Sequence, residues 1–183
     1  TLPRAVPPRL AAMLDRRWIN LTLIAWIMIA AWYVGQRWTA IQWLSLGDTD
    51  DNMRLMQVRA LLAGQGWFDL TNYRLNPPAG FNIHWSRLVD LPIAGVLVAL
   101  TPLLGEPVAL RVAVVAVPLL TLLAIMAAGA FLIDRLAGRD RVALGVMLVP
   151  LATPVLAQVM PLRIDHHGWQ IALALAAVAA LVG

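Results

Sequence analysis

The chain has 183 residues, 61% of them hydrophobic, which excludes an ordinary soluble domain because its core needs far fewer apolar side chains. The fourteen basic residues are all arginine and outnumber ten acids; in a membrane protein such an excess records asymmetry between loops, so no nucleic-acid partner is expected. Cysteine is absent, which rules out disulfides and thiolate metal sites and leaves oxygen or imidazole as the only metal ligands.

Residues 1–17 read as a cytoplasmic amino-terminal segment ending in Arg16 and Arg17. The apolar run Ile19 to Val34 follows and gives a first transmembrane helix over 18–35. It is long enough to span, Trp-rich, and lacks a small-residue cleavage site, so it is not a signal peptide. Four further apolar stretches follow, at Leu91 to Leu104, Val108 to Ile133, Val142 to Leu162 and from Trp169 onward. If all four crossed, the Arg-rich loop Asp134 to Arg141 would fall on the side opposite the Arg-rich amino terminus, against the rule that short basic loops are cytoplasmic.

The conflict is removed if Leu91 to Leu104 does not cross. It has only ~14 apolar residues, the length of an interfacial segment, and it contains Pro92 and Pro102. The expected fold is therefore an all-α membrane protein of about four transmembrane helices. Residues 36–109 form a long periplasmic loop with two membrane-parallel helices, at about 50–64 and 89–104. Transmembrane helix 2 covers 108–133, a cytoplasmic loop 134–141, transmembrane helix 3 142–162, a periplasmic loop 163–168, and the start of a truncated fourth helix 169–183. In the first interfacial helix, Leu55, Val58 and Leu62 line one side and Asp50, Arg54 and Gln57 another, with Gly64 and Gly66 as the stop. Asn76-Pro77-Pro78-Ala79-Gly80 is a rigid turn.

This topology places two charged clusters on one surface. The first is Gly47-Asp48-Thr49-Asp50-Asp51, whose three carboxylates repel one another unless a divalent cation or an arginine relieves them. Its plain alternative is a helix cap, with Asp48 or Asp50 accepting backbone N–H groups and Arg54 pairing to Asp50 and Asp51. The second is Arg163-Ile164-Asp165-His166-His167, an acid and two histidines at a bundle mouth, costly unless paired or ligating. Its alternative is hydrated interfacial chemistry, with Arg163 neutralising Asp165 and Trp169 as a belt residue. His84 and Arg87 form a third group that could capture a phosphate through the guanidinium fork or merely bind membrane lipid headgroups; Arg59 and Arg74 share both readings.

The stretch Asp50-Asp51-Asn52-Met53-Arg54 through Gly64-Gln65-Gly66-Trp67 resembles the first loop of the GT-C superfamily of polyprenyl-lipid-dependent glycosyltransferases, which includes oligosaccharyltransferase catalytic subunits, protein O-mannosyltransferases and aminoarabinose transferases. Asn76-Pro77-Pro78 through His84-Trp85-Ser86-Arg87 is similar to the proline-rich segment that opens the family's second parallel helix, and Asp165-His166-His167 sits where oligosaccharyltransferases carry their second acidic motif. The resemblance implies sugar transfer from a polyprenyl-phosphate-linked donor to a periplasmic acceptor at a bacterial inner membrane. It implies Asp50 and Asp51 as catalytic carboxylates, Asp48, Asp165 and His167 as ligands of a divalent metal, Mg or Mn, and Arg87, Arg163, His84 and Arg59 as donor-phosphate contacts. Histidine replaces the family's second carboxylate, so the metal could differ from the usual one or be absent. A non-catalytic transmembrane subunit of a larger membrane protein complex is the rival expectation. An acid and histidine relay in a transporter is weaker, because the charges lie at helix ends.

Overall fold

The computed structural model describes residues 7–182; the first six residues of the amino-terminal segment and Gly183 lie outside the described residues. The molecule is mostly helical (73%), and among the described residues three helices are long and apolar enough to cross a membrane: Ala12–Gln36, Arg87–Leu104 and Glu106–Ala137.

Helix α1 spans Pro8–Gln36 and so starts well before the expected residue 18, because Pro8 suits a first helical turn and no breaker follows. Little of its apolar stretch is buried in the rest of the molecule, and Ile24, Ile27, Met28 and Trp32 face outward. A helix this apolar on its free side needs hydrocarbon or protein against it. Short α2 (Trp38–Gln42) leads to α3 (Thr49–Leu62), capped by the Asp48 carboxylate, which accepts the Asp50 N–H at 3.1 Å, and stopped at Gly64 with φ 97°. The proline turn joins a two-stranded antiparallel hairpin, β1 (Thr71–Asn72) and β2 (Phe81–Asn82).

A short 3₁₀ turn, Arg87–Val89, opens α4 (Asp90–Leu104), which runs unbroken because Pro92 and Pro102 fall in its first and last turns. At Gly105, with φ 78°, the chain reverses into α5 (Glu106–Ala137). That helix extends past both expected ends of 108–133 and shortens the expected 134–141 loop to Gly138 and a 3₁₀ turn, Arg139–Arg141. The expected spanning helix 142–162 is not one helix. Pro150, Pro154 and Pro161 divide it into α6 (Val142–Met147), a 3₁₀ turn and α7 (Thr153–Leu156) before irregular backbone. Helix α8 covers His167–Leu181 and begins two residues earlier than expected, taking His167 into its first turn.

Contacts between the ends show how the chain is laid out. Trp26 Nε1 of α1 donates to Leu119 O of α5 at 2.7 Å, and Arg139 approaches Asp15 at 4.0 Å, so α1 and α5 are antiparallel. Gly168 sits against Thr121 and Arg135 donates to Ala179 O, so α8 runs alongside α5 in the same direction. The broken segment starts with Gly145 beneath Ile133 and ends with Leu162 N–H on Val114 O at 2.8 Å. It traverses the height of the bundle as a broken path and delivers residues 163–167 to the same end as Asp48.

At that end α3 packs on α4 and α4 on the first half of α5, with Leu55, Val58, Ile93, Leu97, Ala113 and Val114 in a shared core. Each fully buried aliphatic side chain there stabilises by roughly 1.5–3 kcal/mol. Helix α3 is tied to the start of α4 and to the start of α5. Arg54 binds Asp90 at 2.7 Å with both side chains fully buried, and exposed Arg59 binds Glu106 at 3.0 Å. Arg54 thus pairs across helices and not with Asp50 or Asp51 in its own helix, and the polar side of α3 is covered as well as the apolar one, Arg54 and Gln57 being as buried as Leu55.

Removing one partner of a buried ion pair leaves an uncompensated charge, whereas an apolar pair of similar size does not. Asp90→Leu should cost about 3–5 kcal/mol, read as a fall in thermal unfolding midpoint in detergent. The double variant Arg54→Met with Asp90→Leu should recover most of that loss.

Candidate functional site

The site forms where α3 starts and the broken segment ends. Leu162 has φ 75°, a left-handed conformation rare for a branched residue, and it turns the next three residues toward α3. Asp51, fully buried in the first turn of α3, takes the turned segment in a three-point grip. Its Oδ1 accepts the backbone N–H groups of Ile164 at 2.8 Å and Asp165 at 3.1 Å, and its Oδ2 accepts from Arg163 Nη1 at 2.9 Å. Asp48 Oδ2 accepts from the same Nη1 at 2.7 Å, and Arg163 Nη2 donates to Gln158 Oε1 at 3.1 Å. The two charged clusters, more than a hundred residues apart in sequence, are therefore one network.

Beside it, Asp165 is buried and its carboxylate lies between two imidazoles: Oδ2 meets His167 Nδ1, and Oδ1 meets the backbone N–H and Nδ1 of His166. The His166 and His167 rings stack at 4.4 Å, and Trp85 packs on His166 at 5.3 Å. The Arg54 guanidinium lies 4.9 Å over the Trp85 ring, which links the α3–α4 ion pair to the histidines.

The charges are tuned by these contacts. The Arg163 hydrogen bond, helped by the Asp50 N–H, pulls the Asp48 carboxyl down to about 2. Burial pushes Asp51 up to about 6, with the Arg163 charge and the two backbone N–H groups acting against it. Burial acts to raise Asp165 too, but the His166 N–H and His167 outweigh it and hold the carboxyl below its ordinary value.

The remaining expected site residues are placed as follows. Asp50 is half-buried, and its carboxylate has no hydrogen-bond partner among the described residues. His84 is exposed, with its ring edge-on to Trp85. Arg87 is buried and donates to Trp67 O, Gln57 O, Gln65 Oε1 and Asp69 O, with Nη1 also 3.6 Å from Asp90 Oδ2, so all three of its nitrogens are engaged in binding the loop to α3 and α4. Arg59 is engaged with Glu106, away from the network. Reasoning from sequence missed three contributors: His166, which completes the acid and histidine group, Trp85, which carries it, and Gln158, which orients Arg163. Only His166 had a visible signal, in its position between Asp165 and His167.

Asp165, His166 and His167 each direct a ligand atom into a group spanning no more than 4.8 Å. One carboxylate and two imidazoles suit Mn²⁺ or a later transition ion better than Mg²⁺, which favours oxygen ligands. Asp48, committed to Arg163 and the α3 cap, lies outside this group.

Because the folded value of Asp51 lies above the ordinary 3.8, its contribution to stability is full below that pH and is lost as the pH rises through about 6. The wild type should therefore lose stability between about pH 4 and 7 more steeply than Asp51→Asn, by on the order of 2 kcal/mol, when thermal unfolding is followed across that range. Equal slopes would remove Asp51 as the titrating group. Comparison of the chain with protein-family models, with curated proteins and with solved structures finds no match.

Proposed function

We propose that the protein is a membrane glycosyltransferase of the GT-C type, moving a sugar from a polyprenyl-phosphate-linked donor to an acceptor at the periplasmic face of a bacterial inner membrane, with its amino terminus in the cytoplasm. The observation that carries this reading is the Asp51–Arg163 bond, which brings the acidic start of the first loop and the Asp165-His166-His167 group to one end of an apolar helix bundle. An amphiphilic donor fits such a place. A cleft of about 380 Å³ between α4, α5 and α8 shares Val117, Thr121 and Trp169 with the crevice beside Arg163 and Asp165, so a lipid chain could lie along apolar walls while its headgroup stays with the charges.

The residues divide the work. Asp50, whose carboxylate is uncommitted, takes the proton of the acceptor as it attacks the anomeric carbon. Asp51 is committed through both oxygens and serves as the bridge that positions residues 163–165. Arg163, held through both terminal nitrogens by Asp48, Asp51 and Gln158, stabilises the leaving phosphate by its charge. A divalent cation held by Asp165, His166 and His167 would supply further charge neutralisation at the phosphate. A second reading is favoured by the mutual pairing of Asp48, Asp51 and Arg163, which satisfies the charges without any ligand: a non-catalytic subunit of a larger membrane complex in which the network is a structural peg.

These readings are separated by Asp50→Asn. For the enzyme, transfer from a lipid-linked sugar donor by the intact protein in membranes should fall by at least 10³-fold, with the unfolding midpoint nearly unchanged because Asp50 anchors nothing. Turnover retained in this variant would remove Asp50 from the mechanism. Titration with Mn²⁺ followed by electron paramagnetic resonance should show a bound ion that is lost in both Asp165→Asn and His167→Ala; binding unaltered in the two variants would place the ion elsewhere.

A further inference from the structure

A groove of about 520 Å³ runs along α1 where the broken segment passes beside it, walled by Ile24, Met28 and Trp32 of the helix and by Met147 and Leu156 of α6 and α7. All of these but Leu156 are exposed. The lining extends from Leu21 to Tyr33, roughly 18 Å of helix at 1.5 Å per residue. That is about the depth of one leaflet, half of a hydrocarbon core about 30 Å thick. The groove shares no residue with the cleft between α4, α5 and α8.

One turn beyond Trp32 and Tyr33 the same side of the chain reaches Gln36 and Arg37, and these open a polar hollow with Thr39, Trp43 and Ser45. Trp43 is 80% exposed, as suits an aromatic side chain at a membrane–water boundary. Arg37 is half-buried and meets no carboxylate among the described residues; its Nη1 donates to Met160 Sδ at 3.3 Å, a weak acceptor. Its Nη2 makes no hydrogen bond and, unlike Nε, is not closed off from solvent. That Nη2 lies 4.0 Å from where a Cβ on Gly47 would stand, beside the stretch that brings Ser45 to the hollow. Arg111, donating to Gln42 O at 3.1 Å, sets a second cation without a carboxylate against α2. A half-buried guanidinium with no counter-ion gains from any anion that reaches it.

We infer that α1 holds a membrane phospholipid of net negative charge, one acyl chain lying in the groove and the phosphate accepting from Arg37 Nη2. An apolar groove one leaflet deep that ends at an unpaired cation is the complement of such an amphiphile. The hollow contains no acid, so an ammonium headgroup finds no carboxylate there, whereas a hydroxylated headgroup meets the hydroxyls of Thr39 and Ser45 and the Gln36 amide. A helix of a partner protein would cover the groove but leave Arg37 without its anion. A polyprenyl chain outruns a groove of this depth. The site rests on α1 crossing a bilayer and stands whether or not the Asp51 network transfers sugar.

The test is native mass spectrometry of the intact protein released from detergent, with dioleoylphosphatidylglycerol, dioleoylphosphatidylcholine, undecaprenyl phosphate and inorganic phosphate as separate probes. The wild type should retain phosphatidylglycerol in preference to phosphatidylcholine. Retention should fall about fivefold or more in Arg37→Gln, which removes the charge, and in Met28→Trp, which fills the groove from an exposed position and does not threaten the fold. Arg74→Gln, which removes an exposed arginine elsewhere, should leave it unchanged. Any undecaprenyl phosphate retained should be unaffected by Arg37→Gln, because the donor cleft lies on other helices. The assignment is overturned if phosphatidylglycerol is not retained, if phosphatidylcholine is retained equally, or if both α1 variants match the wild type. Inorganic phosphate bound by the wild type and lost in Arg37→Gln would make the hollow a free-anion site, and undecaprenyl phosphate lost in that variant would make it a polyprenyl site; either also overturns it. None of these outcomes bears on Asp50.

Discussion

The structure depends on the way one carboxylate holds a piece of backbone. Asp51 has no exposure to solvent and accepts the N–H groups of Ile164 and Asp165 together with the Arg163 guanidinium. Two of these donors belong to irregular backbone just beyond a proline and a left-handed leucine, where no helix or strand would have paired them. Buried N–H groups must find acceptors, and here the acceptor comes from another part of the chain. The bond therefore completes the folding of residues 162–166 and fixes where the histidines stand.

Around this grip the polar and apolar demands of the chain are separated in space. The far end carries Asp15, Asp134 and Arg139 in exposed pairs that contribute little to stability. The near end carries buried charges, each of them answered: Arg54 by Asp90, Asp51 by Arg163, Asp165 by His166 and His167. Between them α1, α5 and α8 present apolar surface outward, with α1 almost uncovered. Charges confined to the ends and apolar side chains in the middle are what a bilayer demands of the helices that cross it.

Helices α3 and α4 are where local pattern and tertiary packing part. By pattern, α3 has one wet and one dry side, and Arg54 and Gln57 belong on the wet one. In the fold both sides are covered, by α4 on one and by the hairpin loop on the other, so Arg54 and Gln57 become interior residues. That burial turns Arg54 into a link between Asp90 and Trp85 and leaves Gln57 Nε2 buried without an acceptor among the described residues. Arg87, the kind of residue that would be assigned to a phosphate, is consumed by three backbone carbonyls and a glutamine side chain.

The amino-acid sequence by itself determined the helical class, the apolar character, a cap for α3 at Asp48 or Asp50, the turn at Pro77 and Gly80, and the two groups of charged residues, because each of these follows from the nearest few side chains. It also carried the prolines at 150, 154 and 161, whose combined effect on the segment 142–162 was nevertheless underrated by counting apolar residues. Only the tertiary structure decided which carboxylate serves as bridge and which stays uncommitted, since Asp50 and Asp51 are chemically identical neighbours that differ only in which side of α3 faces residue 164. It decided the partner of Arg54 in the same way, for a guanidinium within reach of its own helix's acids was drawn to Asp90 by the burial of both.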